Sequence, residues 1–247
     1  MIILKPLIFE QFPEIIFGFS TKIGLERKKP YYFNLSKSVD DDENIVEENR
    51  KSFFSSLNIK SENIIYQKQI HSNKVTYVSK AGYFGERDAL ITDKPNLALT
   101  ISTADCTPVF IYDKENKIIA GVHSGWRGTE KKILLETINK LKSDFNSQPE
   151  NLYVYIAPSI SQEKYEVGPE VAEKFEDKYL LSINGKIYLN VAGVNYDILI
   201  NFGLPKSNIQ YSQLCSFKMK NLLHSYRRDG LYSGRSLGVI ALKEINV

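Results

Sequence analysis

The sequence predicts an α/β (α+β) fold in which mixed β-sheet packs against amphipathic helices. Short β-rich runs alternate along the chain with segments whose apolar residues recur at helical spacing. The chain has 247 residues, of which 43% are hydrophobic and 25% charged, as is usual for a globular protein with a buried core. Since it contains no internal repeat and no Gly/Ser-rich linker, we expect a single domain over residues 1–247.

The first third of the chain supplies two strands, one helix and one hairpin. The apolar segment 1–12 is interrupted by Lys5-Pro6, which favours an edge strand over a signal peptide. Residues 14–20 predict a strand, and the acidic run that begins at Asp40 predicts the start of a helix that reaches about Leu57. The runs 64–71 and 74–79 predict a hairpin that turns at Ser72-Asn73.

The rest of the chain continues this alternation. Further strands are predicted at residues 98–103, 108–113, 117–123, 152–160, 209–215 and 236–245. The second and third of these form a hairpin, and Pro108 predicts a turn just before it. Thr129 is a candidate N-cap for the helix that follows, and Asn190 for a helix that ends at Gly203. Pro169 is expected to open a short helix.

Charge, cysteine content and hydropathy exclude several classes of protein. A net charge of +3 from dispersed basic residues does not indicate a nucleic-acid partner. No apolar run is long enough to cross a bilayer, so no membrane partner is expected. Two cysteines do not form a disulfide framework, which indicates the reducing cytoplasm. Neither a G-x-G-x-x-G nor a Walker A motif is present, and a small-molecule substrate is expected instead.

Three segments place a reactive side chain at the end of a predicted strand: QIHSNKV, STADCTP and GVHSGWRG. They carry His71, Cys106 and His123, and the chain contains only one other histidine, His224. Strand ends hold side chains rigidly yet accessibly, so the three are candidates for one catalytic site. The spacing alone does not decide between this and buried imidazoles with a small apolar cysteine.

Two residues near these segments are candidates for binding the substrate. Arg127 precedes a predicted helix start, where free N–H groups and a guanidinium favour a phosphate or carboxylate. Gln69 shares a strand face with His71 and is expected to reach the site. The alternatives are an exposed helix-start arginine and an ordinary strand residue. Trp126 is expected to pack in a loop or core more than to stack on a purine.

Four motifs, HSGWRG, TADCTPVF, YEVG and SYRRDG, make the chain resemble the laccase-domain (YfiH-like) family from about Ile64 to Val239. Members are described as multicopper polyphenol oxidases, purine nucleoside phosphorylases or peptidoglycan editing factors. The resemblance implies a four-layer α-β-β-α sandwich with mixed sheets and metal ligands at His71, Cys106 and His123. Ser124 and Ala157 stand where the family often has alanine and glycine, and neither is an implied ligand.

The resemblance implies a zinc-dependent purine nucleoside phosphorylase acting on adenosine, inosine and S-methyl-5′-thioadenosine. Two histidines and a thiolate leave one position of a tetrahedral zinc open, as in catalytic sites. Water there would ionise near neutral pH and could attack C6 of adenosine, which fits an adenosine deaminase side activity. Asp105 is a candidate for a supporting acid/base role, although a turn carboxylate or a partner of a ligating histidine also fits that position.

Three other functions stay open at this point. An amidase that edits a peptidoglycan precursor could use zinc-activated water or Cys106 as nucleophile with a histidine base. A copper-dependent polyphenol oxidase is disfavoured, because only His224 would remain for the additional copper cluster that a laccase needs. A binding module that has kept the fold is the non-enzymatic alternative. The Arg227-Arg228-Asp229 motif is expected to hold the fold or the substrate through a carboxylate pair, and Cys215 is expected to be structural.

Overall fold

A computed structural model describes residues 1–244. The strands are β1 (Ile3–Leu4), β2 (Ile15–Ser20), β3 (Ile64–Lys68), β4 (Val75–Tyr77), β5 (Gly82–Glu86), β6 (Ala89–Thr92), β7 (Ala98–Thr103), β8 (Thr107–Asp113), β9 (Ile118–Ser124), β10 (Leu152–Ile156), β11 (Glu166–Val167), β12 (Leu180–Ile183), β13 (Lys186–Leu189), β14 (Ile209–Tyr211) and β15 (Ser236–Leu242). The helices are α1 (Leu7–Glu10), α2 (Glu43–Ser56), α3 (Trp126–Glu130), α4 (Ile133–Phe145), α5 (Pro169–Ala172), α6 (Val191–Phe202) and α7 (Tyr226–Asp229).

Most strands belong to two mixed sheets of six strands each. The first sheet has the order β1-β2-β15-β7-β3-β5, and the second has the order β14-β10-β8-β9-β6-β4. In the first, β3 runs parallel to β5 and β7 while the other pairs are antiparallel. In the second, β10 is parallel to β14, and β4 to β6. The remaining strands, β11, β13 and β12, form a small antiparallel sheet.

Three apolar cores hold the layers together: one lies between the two large sheets, and one lies between each sheet and the helices on its outer face. The central core joins the facing sides of both sheets, with Phe17 and Ile101 from the first and Phe110 and Tyr112 from the second. A second core packs α4 and α6 on the outer face of the second sheet, and a third packs α2 on the outer face of the first. The order α-β-β-α confirms the predicted four-layer sandwich.

Two side chains cap helices close to their predicted starts, and one of them, Asn190, was the predicted cap. The Asp42 carboxylate, in the predicted acidic run, accepts hydrogen bonds from the backbone N–H groups of Asn44 (2.8 Å) and Ile45 (3.3 Å) at the start of α2. The Asn190 side chain accepts one from Gly193 N–H (2.8 Å) and so starts α6. Gly203 ends α6 with a φ of 101°, in the left-handed region that glycine adopts without strain.

The predicted hairpin over residues 64–79 is wrong. β3 joins the first sheet and β4 joins the second, so the chain between them crosses from one layer to the other. The alternation of apolar and polar residues shows which face of a strand is buried, but it does not show which other strand pairs with it. Here the neighbours of β3 are β5 and β7, and that of β4 is β6. This crossing sets His71 at the edge where the two sheets meet.

The segment after β9 also differs from its prediction. The helix begins at Trp126, with Gly125 as N-cap, and a second helix starts at Ile133. Thr129 lies inside the first of these, where its hydroxyl bonds to the carbonyl oxygen of Gly125 (3.0 Å). Pro108 is not a turn residue either, because it lies within β8 opposite His123. Over residues 1–244, the longest helix has 14 residues, and none combines the length and apolarity needed to span a membrane.

Candidate metal centre

His71, Cys106 and His123 meet at one edge of the two large sheets. One potential ligand atom from each side chain lies within 4.8 Å of the others. Pairing of β8 with β9 sets Thr107 opposite Ser124 and Pro108 opposite His123, which brings Cys106 alongside His123. The crossing segment after β3 then adds His71, whose ring centroid lies 4.8 Å from that of His123. The tertiary structure thus brings together the three residues that the sequence singled out.

The thiol and the two imidazoles are strongly coupled. Burial opposes ionisation of Cys106, but the positive charge and hydrogen bonding of His123, with a smaller contribution from His71, lower the pKa of the thiol. Burial likewise disfavours the charged form of His123, yet Cys106 and Asp88 raise the pKa of its imidazole. The site therefore favours a thiolate, which is the form of cysteine that binds metals and acts as a nucleophile.

Asp88, for which the sequence carries no signal, orients both histidines. Its fully buried carboxylate bonds to His123 Nδ1 (2.8 Å) and so directs Nε2 of that ring toward the cluster. It also accepts hydrogen bonds from the backbone N–H groups of His71 (3.0 Å) and Ser72 (2.6 Å) and from the Ser72 hydroxyl (2.7 Å). Burial alone would raise the pKa of Asp88, but the bonds from His123 and Ser72 lower it to about 2.

Replacing Asp88 by asparagine is expected to loosen both histidines at once. The amide lacks the charge, and its NH2 group would face N–H donors, which leaves buried groups without partners. We expect metal affinity to fall by about 10- to 100-fold and stability to fall by about 2–4 kcal/mol. A chelator competition assay and denaturant unfolding measure these two effects.

Asp93→Asn is the matched control, since Asp93 follows the same strand, β6, at its other end. Its carboxylate accepts a hydrogen bond from the Tyr77 hydroxyl (2.7 Å), outside the candidate centre. We expect its metal affinity to equal that of the unmodified protein. Equal affinities in the two variants would contradict the role assigned to Asp88.

Two residues of the site hold backbone conformations that side chains rarely adopt. His71 has a φ of 59° and Asp105 a φ of 95°. Each such residue costs about 1–3 kcal/mol and persists only where its surroundings enforce it, which is typical of functional sites. For His71 the enforcing group is Asp88, which accepts the two backbone N–H groups at residues 71 and 72.

The geometry of the cluster suits a bound metal ion. Nδ1 of His71 is buried and has no hydrogen-bond partner among residues 1–244. Gly125 leaves space beside it, because a Cβ at that position would lie 2.6 Å from His71 Nδ1 and 2.8 Å from Cys106 Sγ. Two imidazole nitrogens and one thiolate are donors that zinc and other soft or borderline metals accept. These residues can therefore bind a metal.

Two cavities flank the cluster and share the wall formed by His71, Ala104, Cys106 and Tyr226. The larger cavity, of about 450 Å³, extends along Gln67, Ser102 and Arg235, among others. The smaller cavity, of about 290 Å³, is lined by residues that include Trp126, Arg127, Tyr165 and Arg227. A ligand could therefore approach the cluster from either side. Tyr226 lies in the SYRRDG motif at the start of α7, but the motif did not indicate a place beside the cluster, and Arg235 carried no sequence signal.

The other predicted site residues lie close to the cluster but differ in availability. Arg127 is exposed in the wall of the smaller cavity, 4.3 Å from the centroid of the Trp126 ring. The Gln69 amide is engaged with the backbone of Ser102, donating to its O (2.7 Å) and accepting from its N–H (2.8 Å). Gln69 also lines the larger cavity, and its binding role stays a prediction beside this structural one. Trp126 packs in a small apolar core.

Asp105 anchors two segments beside the site. Its carboxylate accepts hydrogen bonds from the Ser216 hydroxyl (2.6 Å) and from the Arg227 N–H (2.6 Å). Both oxygens are therefore engaged, which favours the turn-carboxylate alternative over the predicted acid/base role. This contact places Arg227 in the smaller cavity. The Arg228 guanidinium pairs with its neighbour Asp229 (2.7 Å) and holds the fold by donating to the carbonyl oxygens of Ser216 (2.8 Å) and Leu223 (2.9 Å).

His224, the third histidine, is separate from the centre and is buried. Its Nε2 lies 3.4 Å from the Phe33 carbonyl oxygen. Burial lowers its pKa to about 3, so it stays neutral in the folded protein. The unfolded chain binds a proton there below about pH 6.5. Between these two pKa values the unfolded state binds more protons, and stability falls as the pH falls.

His224→Asn is expected to weaken that pH dependence. Between pH 7 and pH 5 the unmodified protein should lose about 2 kcal/mol through this histidine, and the variant should not. Denaturant unfolding of both proteins at the two pH values gives the difference directly. Parallel losses in the two proteins would show that His224 does not titrate on unfolding.

Comparisons with known proteins agree with this architecture. The sequence model of the multi-copper polyphenol oxidoreductase laccase family matches residues 16–243. A Deinococcus radiodurans protein named purine nucleoside phosphorylase is 32% identical over 91% of this chain and 88% of its own length. Adenosine deaminase RL5, from an unknown prokaryotic organism, is 29% identical over 96% and 97%. The crystal structure of YfiH, a hypothetical protein of Bacillus licheniformis, superposes with a TM-score of 0.90 at 30% identity, covering 95% of this chain and 94% of that one.

Proposed function

This chain belongs to the multi-copper polyphenol oxidoreductase laccase family, and from that membership we propose that it is a zinc-dependent purine nucleoside phosphorylase. Its substrates are adenosine, inosine and S-methyl-5′-thioadenosine, with adenosine deamination as a side activity. The observation that carries the proposal is the His71–Cys106–His123 cluster with a cavity on either side. Relatives named purine nucleoside phosphorylase and adenosine deaminase supply the reaction class. We also propose that residues 1–247 form one domain.

We assign zinc because three protein ligands match a catalytic zinc site and the sequence lacks the imidazoles that a laccase copper cluster needs. His71, Cys106 and His123 supply the three protein ligands that catalytic zinc sites use, and a bound zinc ion would supply Lewis-acid chemistry there. A laccase needs a further copper cluster built mostly from imidazoles, and the sequence offers only His224 in addition. His224 is buried against Phe33 instead. Because this chemistry needs a reduced Cys106, we place the protein in the cytoplasm.

In the proposed phosphorolysis, different residues of the chain orient the cluster and bind the phosphate. Asp88 holds the His123 ring, and with it the whole cluster, in a fixed orientation. Arg127 and Arg227 line the smaller cavity, where their guanidinium groups suit a phosphate ion. The larger cavity then takes the nucleoside. A phosphate oxygen bonds to C1′ of the ribose while the C1′–N9 bond breaks, and the purine leaves with the electron pair and gains a proton.

Each arginine is held over an aromatic ring, which limits its freedom before the anion binds. The Arg127 guanidinium lies 4.3 Å from the Trp126 ring centroid, and that of Arg227 lies 5.0 Å from the Tyr165 ring centroid. Arg227 also donates to the Glu166 carbonyl oxygen (2.6 Å). Pre-ordered side chains lose less entropy on binding, which favours an anion at this place.

A phosphate-dependent assay tests the proposal. Zinc-loaded protein is incubated with adenosine or inosine, with and without inorganic phosphate. We expect adenine or hypoxanthine together with ribose 1-phosphate only when phosphate is present, and inosine from adenosine in either case. Failure to release any free base would refute phosphorolysis.

A second candidate function is amide hydrolysis with Cys106 as nucleophile. The Asp88 carboxylate bonds to His123 (2.8 Å), and His123 lowers the pKa of the Cys106 thiol. In cysteine hydrolases a carboxylate or amide orients the imidazole that activates the thiol in the same way. The substrate would be an amide in a peptidoglycan precursor, from which an amino acid is removed.

Chelation and alkylation separate the two functions. Phosphorolysis should be lost on complete metal removal and should return with added zinc. Amide hydrolysis by the thiol should survive metal removal and be lost when Cys106 is alkylated. Release of an amino acid from a cell-wall precursor by metal-free protein would favour the second candidate.

A further inference from the structure

We propose that Gln67 recognises the purine base in the larger cavity, pairing with the edge formed by N1 and the substituent at C6. The proposal rests on the purine nucleoside function above and names a specificity residue for it. Gln67 occupies the wall of the cavity that also borders His71, Cys106 and His123.

The amide of Gln67 has no partner in the described part of the chain. Both Nε2 and Oε1 are shielded from water, and neither makes a hydrogen bond within residues 1–244. A buried amide without partners is destabilising, and folded proteins rarely retain one unless a ligand, ion or water satisfies it. Since Gln67 lies against a cavity, a bound ligand is the natural partner.

Gln69, two residues further along the chain, does have hydrogen-bond partners for its amide. Residues 67 and 69 lie on the same side of an extended chain. Gln69 is bonded in both directions to the backbone of Ser102, at 2.7 and 2.8 Å. Gln69 is thus bonded to the sheet, whereas Gln67 keeps a donor and an acceptor that no group in residues 1–244 satisfies.

The size and lining of the cavity suit a nucleoside. Its volume of about 450 Å³ lies within the range of small-molecule sites. Ser36, Ser38, Ser102 and Arg235 add polar groups to the wall, which suit the hydroxyl groups of a ribose. A base held by Gln67 would keep the nucleoside beside the metal-binding cluster.

An amide matches both substrates of the proposed enzyme. Adenine presents a donor at the C6 amino group and an acceptor at N1, whereas hypoxanthine presents an acceptor at O6 and a donor at N1. Rotating the amide by 180° exchanges its own donor and acceptor, so one glutamine pairs with either base. A carboxylate cannot do this, because it only accepts hydrogen bonds.

Gln67→Met tests the proposal, since methionine keeps the length of the side chain without its hydrogen-bonding atoms. We expect kcat/KM for adenosine and inosine to fall by about 10- to 100-fold, the discrimination that one bidentate pair provides. Purine riboside, which lacks a group at C6, serves as the matched substrate and should lose several-fold less. The Kd of adenosine for metal-free protein, measured by calorimetry, should rise by a similar factor.

Gln67→Glu is the second variant. Guanine presents donors at both N1 and N2, and the two oxygens of a glutamate can accept from both. We therefore expect the ratio of kcat/KM for guanosine to kcat/KM for adenosine to rise in this variant. Gln67→Met should unfold at or above the temperature of the unmodified protein, because the unpartnered amide is removed. Gln67→Glu should unfold at a lower temperature when no ligand is bound, because its carboxylate is shielded from water. A fall in the stability of Gln67→Met without a change in substrate ratios would assign Gln67 a structural role.

The outcomes separate this inference from the function on which it rests. If the unmodified protein neither binds nor cleaves purine nucleosides, the proposed function fails and takes the inference with it. If the unmodified protein cleaves them, but both variants keep its ratios among adenosine, purine riboside and guanosine, the inference alone is overturned.

Discussion

Replacing Cys106 by serine is expected to abolish metal binding at the candidate centre and phosphorolysis with it. The site lowers the pKa of the thiol and so favours a thiolate, but a serine hydroxyl does not ionise under the same conditions. The cluster would keep two imidazoles and lose its only anionic ligand. We expect zinc affinity and kcat/KM each to fall by on the order of 1000-fold, or to become unmeasurable.

Cys215→Ser is the matched control for that experiment. Cys215 is the only other cysteine of the chain, and it is buried away from the cluster. Its sulfur accepts hydrogen bonds from the N–H (3.3 Å) and the hydroxyl (3.0 Å) of Ser161, and a serine oxygen can accept both. Zinc content and activity should be unchanged in this variant. Stoichiometric zinc in the Cys106→Ser protein would show that the metal lies elsewhere.

Adding one methyl group at Gly125 is expected to disable the centre while leaving the fold intact. The backbone there has φ −77° and ψ 170°, which any residue adopts, so alanine introduces no strain. Its Cβ, however, would lie 2.6 Å from His71 Nδ1 and 2.8 Å from Cys106 Sγ. One of these side chains must move, and a displacement of about 1 Å costs on the order of 100-fold in rate.

Gly168→Ala supplies a control with nearly the same backbone. Gly168 is also the N-cap of a short helix, with φ −76° and ψ 165°. An added Cβ there meets only the end of the Glu170 side chain, which can swing away. Both variants should unfold at the temperature of the unmodified protein, and only Gly125→Ala should lose zinc affinity and activity. Full activity of Gly125→Ala would mean that the cluster does not bind the substrate-activating metal.

The sequence predicted those helices and strands that depend on contacts between residues close together in the chain. The caps Asp42 and Asn190 act on N–H groups two or three residues away, and the predicted helices begin beside them. The hairpin of β8 and β9 was also predicted, because it needs only two alternating runs and a short turn. The hairpin proposed for residues 64–79 failed, because each of those two strands pairs with residues 14 to 34 positions further along the chain.

For the candidate site, the sequence identified the reactive side chains but not the groups that hold them. His71, Cys106 and His123 were found through their motifs and the scarcity of histidine. Asp88 gave no signal, since an aspartate before an apolar strand is common and nothing in its surroundings points to two distant histidines. The bonds that engage Gln69 and Asp105 were equally invisible, because their partners, Ser102, Ser216 and Arg227, lie at least 33 residues away.

By itself, the sequence determined which chemistry this protein has available: three imidazoles, two thiols, and motifs that resemble one family. The tertiary structure decided which of these act together. The chain crosses from one sheet to the other near His71, and the Asp88 carboxylate lies between the two histidines. Gln69 is hydrogen-bonded, whereas the Gln67 amide has no partner among residues 1–244. The physical reason is that side-chain type and spacing govern contacts within a few residues. Which donor meets which acceptor across two packed sheets depends on the whole arrangement of strands.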